Sequence, residues 1–237
     1  MTRVSLPARR RLLGQGLAGA LAWATGHASA ASDAATQPTG APHVDRTGLP
    51  SPGTYALPVI RPCPDGLVLN ADGRGMRLRQ ALGQRLSVLS FMYTYCRDPV
   101  GCPLAYQVMT SLHRRLLADP TLGSRAQLVS LSFDPTHDTP QQMALYGRDF
   151  LADKRVRWQF LTTASVPQLL PLLDALGQEV TVETDARGRP TRTLNHMLKL
   201  FLIDPRRQVR EIYSVGTLDE EVLYNDLKTL ALEAATS

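Results

Sequence analysis

The sequence predicts an α/β domain, a central mixed sheet flanked by helices with a β-hairpin at its N-terminal side. Three observations carry this. Leu86–Tyr93 and Gln127–Phe133 are near-continuous apolar runs of strand length, the pattern of strands covered on both faces. Segments of helical period separate them, as a parallel core requires. Two later apolar segments are joined by a short turn, so the last strands return antiparallel.

The elements follow in order. Leu67-Val68-Leu69 and Met76-Arg77-Leu78 flank Asn70-Ala71-Asp72-Gly73 and read as a hairpin. After the first buried strand, Pro103–Ala118 places Leu104, Val108, Leu112 and Leu116 on one helical face. Residues 140–152 form a helix with Thr139 as N-cap and Pro140 in its first turn. Trp158–Leu161 is a third strand, and Pro167–Leu176 is a helix ended by Gly177. Met197–Asp204 and Val209–Tyr213 pair through Asp204-Pro205-Arg206-Arg207, and Leu218–Leu232 is a closing helix.

The chain has 237 residues, 43% hydrophobic and 20% charged, which excludes collagen-like, coiled-coil and wholly disordered classes. Its formal charge of +5 is concentrated at the start. Without Arg3, Arg9, Arg10 and Arg11, 22 basic residues face 21 acidic ones, a net +1. That balance carries no footprint for nucleic acid. Arg9-Arg10-Arg11, the apolar stretch Leu12–Thr25 and Ala28-Ser29-Ala30 have the basic, apolar, small-x-small order of a secretory signal peptide, expected over residues 1–30. Ala8-Arg9-Arg10-Arg11-Leu12-Leu13 resembles a twin-arginine signal. The apolar stretch falls short of the about 20 residues that span a bilayer, so membrane contact is expected only if the leader is retained as an anchor. Residues 31–53, rich in Ala, Pro, Gly, Thr and Ser, are expected as a flexible linker, and 54–237 as the domain. A periplasmic or otherwise exported location follows.

The chemistry concentrates at Cys96, Cys102 and His196. Cys96 falls just past the end of the first central strand, where open α/β sheets bind ligands. Cys102 falls immediately before a helix, whose N-terminus stabilises a thiolate. A plain disulfide would close so short a loop for only about 2 kcal/mol, so the position at a strand–helix junction favours a functional pair. His196 precedes an apolar strand; if that strand is antiparallel to the first, its start lies at the same edge. Two thiolates and an imidazole suit copper as Cu(I) or Cu(II), and zinc would accept the same set.

The chain resembles the Sco/SenC family of thioredoxin-like copper proteins. Tyr93-Thr94-Tyr95-Cys96 ending in Cys102-Pro103, Phe133-Asp134-Pro135-Thr136-His137-Asp138-Thr139-Pro140, and Asn195-His196 followed by Leu202-Ile203-Asp204-Pro205 carry the resemblance over about residues 55–235. It implies a thioredoxin-like fold and copper held by Cys96, Cys102 and His196. It also implies a client that receives copper, or has its thiols reduced, at the binuclear copper site of a cytochrome c oxidase subunit. The family spaces its cysteines by three residues and this chain by five, so the loop between them must fold to bring the sulfurs together. Asn195 replaces the family's usual Asp.

Three functions compete: a copper metallochaperone, a metal-independent thiol–disulfide oxidoreductase using Cys96 and Cys102 as a redox pair, and a binding module with a structural disulfide. The residues favour the first, a chaperone more than an enzyme. The Cys-x-x-Cys motif typical of the second is absent, as is the Pro-x-x-x-Thr-x-x-Cys signature of a peroxiredoxin. Among other candidates, Asp134, His137 and Asp138 follow the second parallel strand and are expected near the same edge; His137 reads as a solvated loop residue, with a rival ligand as the alternative, Asp138 as the start of a helix, and His113 as lying on a wet helical face beside Arg114 and Arg115. Cys63 is the odd cysteine, a loop thiol without a role or, alternatively, a mixed-disulfide or dimer site, and Trp158 and Phe160 read as core.

Overall fold

The computed structural model describes residues 46–96, 98 and 101–236. The expected signal peptide and residues 31–45 of the expected linker lie outside the described residues. In chain order the elements are β1 (Arg61–Pro62), β2 (Leu67–Leu69), β3 (Gly75–Arg77), α1 (Leu78–Leu82), β4 (Leu86–Met92), α2 (Cys102–Ala118), α3 (Pro120–Gly123), β5 (Ala126–Ser132), α4 (Pro140–Tyr146), α5 (Arg148–Leu151), β6 (Arg157–Leu161), α6 (Val166–Leu176), β7 (Val180–Thr184), β8 (Pro190–His196), β9 (Lys199–Ile203), β10 (Gln208–Ser214) and α7 (Glu220–Thr236).

Six strands form one mixed sheet in the order β1-β10-β9-β4-β5-β6. β4, β5 and β6 are parallel, and β9 returns antiparallel to β4, with Ser90 opposite Leu200 and Ser87 opposite Ile203. Every residue of β4 and β5 is buried, as expected of mainly apolar strands covered on both faces, with Ser87, Ser90, Gln127, Ser130 and Ser132 buried among them. Each fully buried Leu, Val or Phe on them contributes about 1.5–3 kcal/mol of transfer free energy. Helices α2 and α7 pack on each other and on β4, while α4 and α5 lie against β6. Two buried glutamines are satisfied by α1: Gln127 donates to the carbonyl of Leu82 at 2.6 Å and Gln159 to that of Ala81 at 2.7 Å, occupying the carbonyls that the end of α1 leaves without intrahelical partners.

The hairpin forms as expected from β2 and β3, with Leu67 opposite Arg77. Leu69 bridges to Thr162 beyond the end of β6. Gly177 ends α6 in the left-handed region at φ 64°. Residues 46–53 lie against the closing helix: Arg46 pairs with Asp219 at 2.7 Å and the Gly53 N–H donates to Thr229 Oγ1 at 3.0 Å. Deeper in, Arg210 joins Asp204, Glu233 and the carbonyl of Leu57, fastening the N-terminal segment to β10 and α7.

The structure corrects several expectations. The helix expected over 140–152 is two, α4 and α5, parted at Gly147. A Cβ there would stand 2.2 Å from the Phe160 ring, so the absence of a side chain lets the helix rest on β6. His113 is not on a wet face. It is 4% exposed, with its ring 5.2 Å from that of Phe150 and its Nε2 3.3 Å from the Val156 carbonyl oxygen. Its chain neighbours Arg114 and Arg115 point elsewhere on the helix, while the buried Met109 and Leu116 share its side. The strand expected from Met197 begins at Lys199, and His196 instead closes β8. The β7–β8 hairpin forms a separate two-stranded sheet. No helix of the described residues is long and apolar enough to cross a membrane.

Candidate metal and thiol site

The topology brings the two cysteines and the histidine to one edge. β4 delivers Cys96 four residues past its carboxyl end, and Cys102 is the first residue of α2. Because β9 runs antiparallel to β4, its first residues lie at that same end, and His196 stands three residues before it. Cys102 Sγ lies 3.8 Å from His196 Nε2. His196 Nδ1 is 3.0 Å from the carbonyl oxygen of Leu194. A carbonyl only accepts, so Nδ1 carries the proton and Nε2 presents its lone pair to the sulfur. The ring packs on Phe133 and edge-on to Tyr93, with centroids 4.6 Å and 5.9 Å away.

The three described cysteines are free thiols, with Cys102 buried and Cys96 half-buried. Their electrostatics are unequal. A hydrogen bond from the Cys102 thiol, opposed by burial and aided by the Tyr93 hydroxyl and the backbone N–H groups of Cys102 and Asp98, brings the Cys96 thiol down to about 5. Cys102 is driven far upward, first by the hydrogen bond it gives Cys96 and then by burial. Its single S–H faces two acceptors, the Cys96 thiolate and His196 Nε2. Among the described residues, no three His, Cys, Asp or Glu side chains already surround a common metal position.

The segment between β4 and Cys96 is held from below by the 134–138 loop. Asp138, 0% exposed, accepts from the Thr94 N–H at 3.1 Å, the Thr94 hydroxyl at 2.6 Å and the Ser132 hydroxyl at 2.5 Å. Asp134 accepts from the Tyr95 hydroxyl at 2.6 Å. Burial opposes ionisation of Asp134, but its bonds from Thr136, Tyr95 and the His137 N–H outweigh that and keep its carboxyl below the usual range. The Asp138 side chain therefore braces this turn; the expectation that it merely starts a helix understates it, and Thr139 is the cap of α4.

His137 is also more than a solvated loop residue. It is half-buried, with its ring 4.6 Å from Tyr95 and its Nδ1 3.1 Å from Arg192 Nη2. The Arg192 guanidinium lies 4.8 Å from the centre of the Tyr95 ring. Arg192 and His196 both belong to β8, so this contact ties the histidine-bearing hairpin to the cysteine-bearing turn. Cys63 is remote: its N–H donates to the Arg207 carbonyl in the β9–β10 turn, at the opposite edge of the sheet. Burial, then the Asp65 charge, raises its thiol to about 12.

Sequence reasoning passed over Tyr93, Arg192 and the β7–β8 hairpin. The β-branched run Val180-Thr181-Val182-Glu183-Thr184 and the turn from Asp185 to Gly188 were the available signals for the hairpin.

Comparison with known proteins identifies the family. The family model described as SCO1/SenC matches residues 67–232. The chain belongs to the SCO1/SenC family. A protein of Stutzerimonas stutzeri named "Putative copper-binding protein" is 31% identical over 131 residues, 55% of this chain, and the chain spans 59% of that relative's length. The structure of Bradyrhizobium japonicum ScoI with copper bound superposes at a TM-score of 0.56 with 19% identity, covering 70% of this chain and 98% of that one. BsSco, described as having a disulfide switch and as a member of the Sco family of cytochrome c oxidase assembly proteins, superposes at 0.55 with 19% identity over 75% of this chain and 98% of its own. These structural likenesses show that the SCO1/SenC chain has the Sco fold, the thioredoxin-like arrangement of helices around a mixed sheet.

Proposed function

We propose that this SCO1/SenC chain is an exported copper carrier that takes its ion through Cys96, Cys102 and His196. The observation that carries the reading is the 3.8 Å approach of Cys102 Sγ to His196 Nε2. Two ligands bound at about 2.0–2.3 Å to one ion stand about 3.5–3.8 Å apart, so this pair already has the spacing of a shared ligand edge. Nδ1 of His196 is tied to a carbonyl, which leaves Nε2 as the donor. Cys96 completes the set by turning its sulfur toward that edge, and its ionised form needs no proton removed. Thiolate sulfur with imidazole selects copper over harder ions. The five-residue spacing is compatible with the site because Cys102 heads a helix while Cys96 sits on a braced turn.

The reading includes a copper-receiving client, for which the binuclear copper site of cytochrome c oxidase is the family-level precedent. Export rests on the basic, apolar, small-x-small order of the first thirty residues.

One observation favours a second activity at the same residues. Cys96 is the more exposed and more acidic thiol, and Cys102 the buried one. In that role the Cys96 thiolate attacks a client disulfide and one client sulfur leaves as thiolate. Cys102 then loses its proton and attacks Cys96 Sγ, releasing the second client sulfur; the chain is oxidised by two electrons and the client reduced by two.

An anaerobic Cu(I) competition titration of the reduced chain beside His196→Ala tests the first reading. One equivalent bound, and weakened at least tenfold in the variant, is expected. Equal affinity in the two proteins, or in a Cys96→Ser, Cys102→Ser double variant, overturns it.

A further inference from the structure

The edge of the sheet opposite the cysteines is cationic. Gln84 and Arg85 lead into β4, Ser124 and Arg125 lead into β5, Arg157 opens β6, and Pro205–Arg207 form the turn from β9 to β10. A cleft of about 370 Å³ opens there between Gln84, Arg85, Ser124, Arg125 and Pro205. That volume falls within the range of about 300–1,000 Å³ typical of small-ligand sites. No carboxylate lines it. Arg85 Nη1 donates to the Ser124 carbonyl, which holds the guanidinium on the cleft wall with its other N–H donors unspent. Arg125 is exposed beside it.

The surroundings leave this charge uncompensated. None of Arg85, Arg125, Arg157, Arg206 and Arg207 forms an ion pair with a described residue. The neighbouring carboxylates are engaged elsewhere: Asp153 with Arg155, Asp204 with Arg210, and Asp119 as the N-cap of α3. Burial, and then the like charge of Arg85, lowers the pKa of Arg157, so the guanidinium groups repel one another across the strand ends. The chain beyond its first thirty residues is nearly neutral, which makes a concentration of five cations at one edge a local feature rather than a consequence of net charge.

We infer that this edge is an anion site, in which the cleft between Arg85 and Arg125 binds a phosphate group while Arg157, Arg206 and Arg207 supply the attractive field around it. Two planar guanidinium forks match tetrahedral oxyanions through paired N–H donors. The exposed Gln84 amide adds a neutral donor. The cleft is larger than inorganic phosphate, so a phosphoester fits the space. Its source is either a soluble phosphate compound or the headgroup of an anionic lipid. The site lies across the sheet from Cys96 and is independent of the copper reading.

The test titrates the purified chain with inorganic pyrophosphate and, separately, with dihexanoyl phosphatidylglycerol below its micelle concentration, by calorimetry at low ionic strength. The proteins compared are wild type, Arg125→Gln, Arg85→Gln/Arg125→Gln, and Arg74→Gln/Arg187→Gln as a control of equal net charge. Saturable binding that weakens at least tenfold in the cleft double variant, measurably in Arg125→Gln, and under twofold in the control is expected. Response to pyrophosphate alone assigns a soluble ligand, and response to the lipid alone assigns a headgroup. No binding in either arm, undiminished binding in the cleft variants, or equal weakening in the control overturns the proposal. Arg125 is exposed, so its single variant reports even if the double variant fails to fold.

Discussion

Asp138 and Thr94, 44 residues apart, meet through two hydrogen bonds: the buried carboxylate takes both the N–H and the hydroxyl of the threonine. Thr94 is two residues before Cys96, so the height of the cysteine above the sheet is set by a carboxylate on another loop. Removing that carboxylate leaves the Thr94 N–H and the Ser132 hydroxyl without an acceptor in a dry site. Asp138→Ala is expected to lower stability by about 3 kcal/mol, with Asp138→Asn losing less because its amide oxygen still accepts. Urea unfolding of the two variants checks this, and an alanine variant as stable as wild type would contradict it.

The thiols differ in reactivity. Cys96, with its thiol brought to about 5, is a thiolate at neutral pH, whereas Cys63, raised to about 12, is protonated. In the reduced chain, iodoacetamide is expected to modify Cys96 first, at a rate that rises through pH 5 and is flat from pH 6.5 to 8. Cys63 stays unmodified over that range. Peptide mass mapping of a timed series reads both. A Cys96 rate still climbing tenfold per unit at pH 8 would show that the Cys102 hydrogen bond does not hold in solution.

His113 gives the domain an acid-sensitive term. Burial, partly offset by the Val156 carbonyl, lowers its pKa, so the folded chain binds its proton less readily than the unfolded one. Stability is therefore full above the unfolded value of about 6.5 and falls as the pH drops below it, by at most about 1.4 kcal/mol per unit. His113→Gln is expected to be less stable at pH 7.5 and to lose less on going to pH 5.5. Denaturation midpoints at the two pH values decide the matter; parallel losses in both proteins would remove His113 as the cause.

Arg192 joins the β7–β8 hairpin to Tyr95 and His137 through exposed contacts worth about 0.5–1 kcal/mol. Arg192→Ala is expected to leave the melting temperature within about 3 °C while speeding amide exchange across residues 190–196 several-fold. Exchange unchanged in that segment would mean that the hairpin is held by its own ladder alone.

How much of this was legible depended on burial. β4, β5 and β9 announced themselves because most of their residues are apolar and their few polar ones are mainly small serines, and an antiparallel return of β9 puts His196 at the cysteine edge. The β7–β8 hairpin did not: four of the five residues of β7 are exposed, so no apolar alternation marks it. The His113 error came from reading chain neighbours as surface neighbours, when a helix turns about 100° per residue and sets His113 beside Met109 and Leu116. The bracing role of Asp138 was hidden for a different reason. Its partners lie on another loop, and no local period encodes a contact across 44 residues.

The hairpin that ends in His196 shares no ladder with the six-stranded sheet. The donors of the candidate site therefore rest on unequal foundations: the Cys102 sulfur on a helix packed into the core, the Cys96 sulfur on a braced turn, and one imidazole on a spring. An ion held this way can be let go by bending the spring, with the core left standing. Substitutions along residues 180–195 can then retune grip and dwell time without endangering the fold, whereas the same tuning attempted through β4 or the 134–138 loop would put the whole domain at risk.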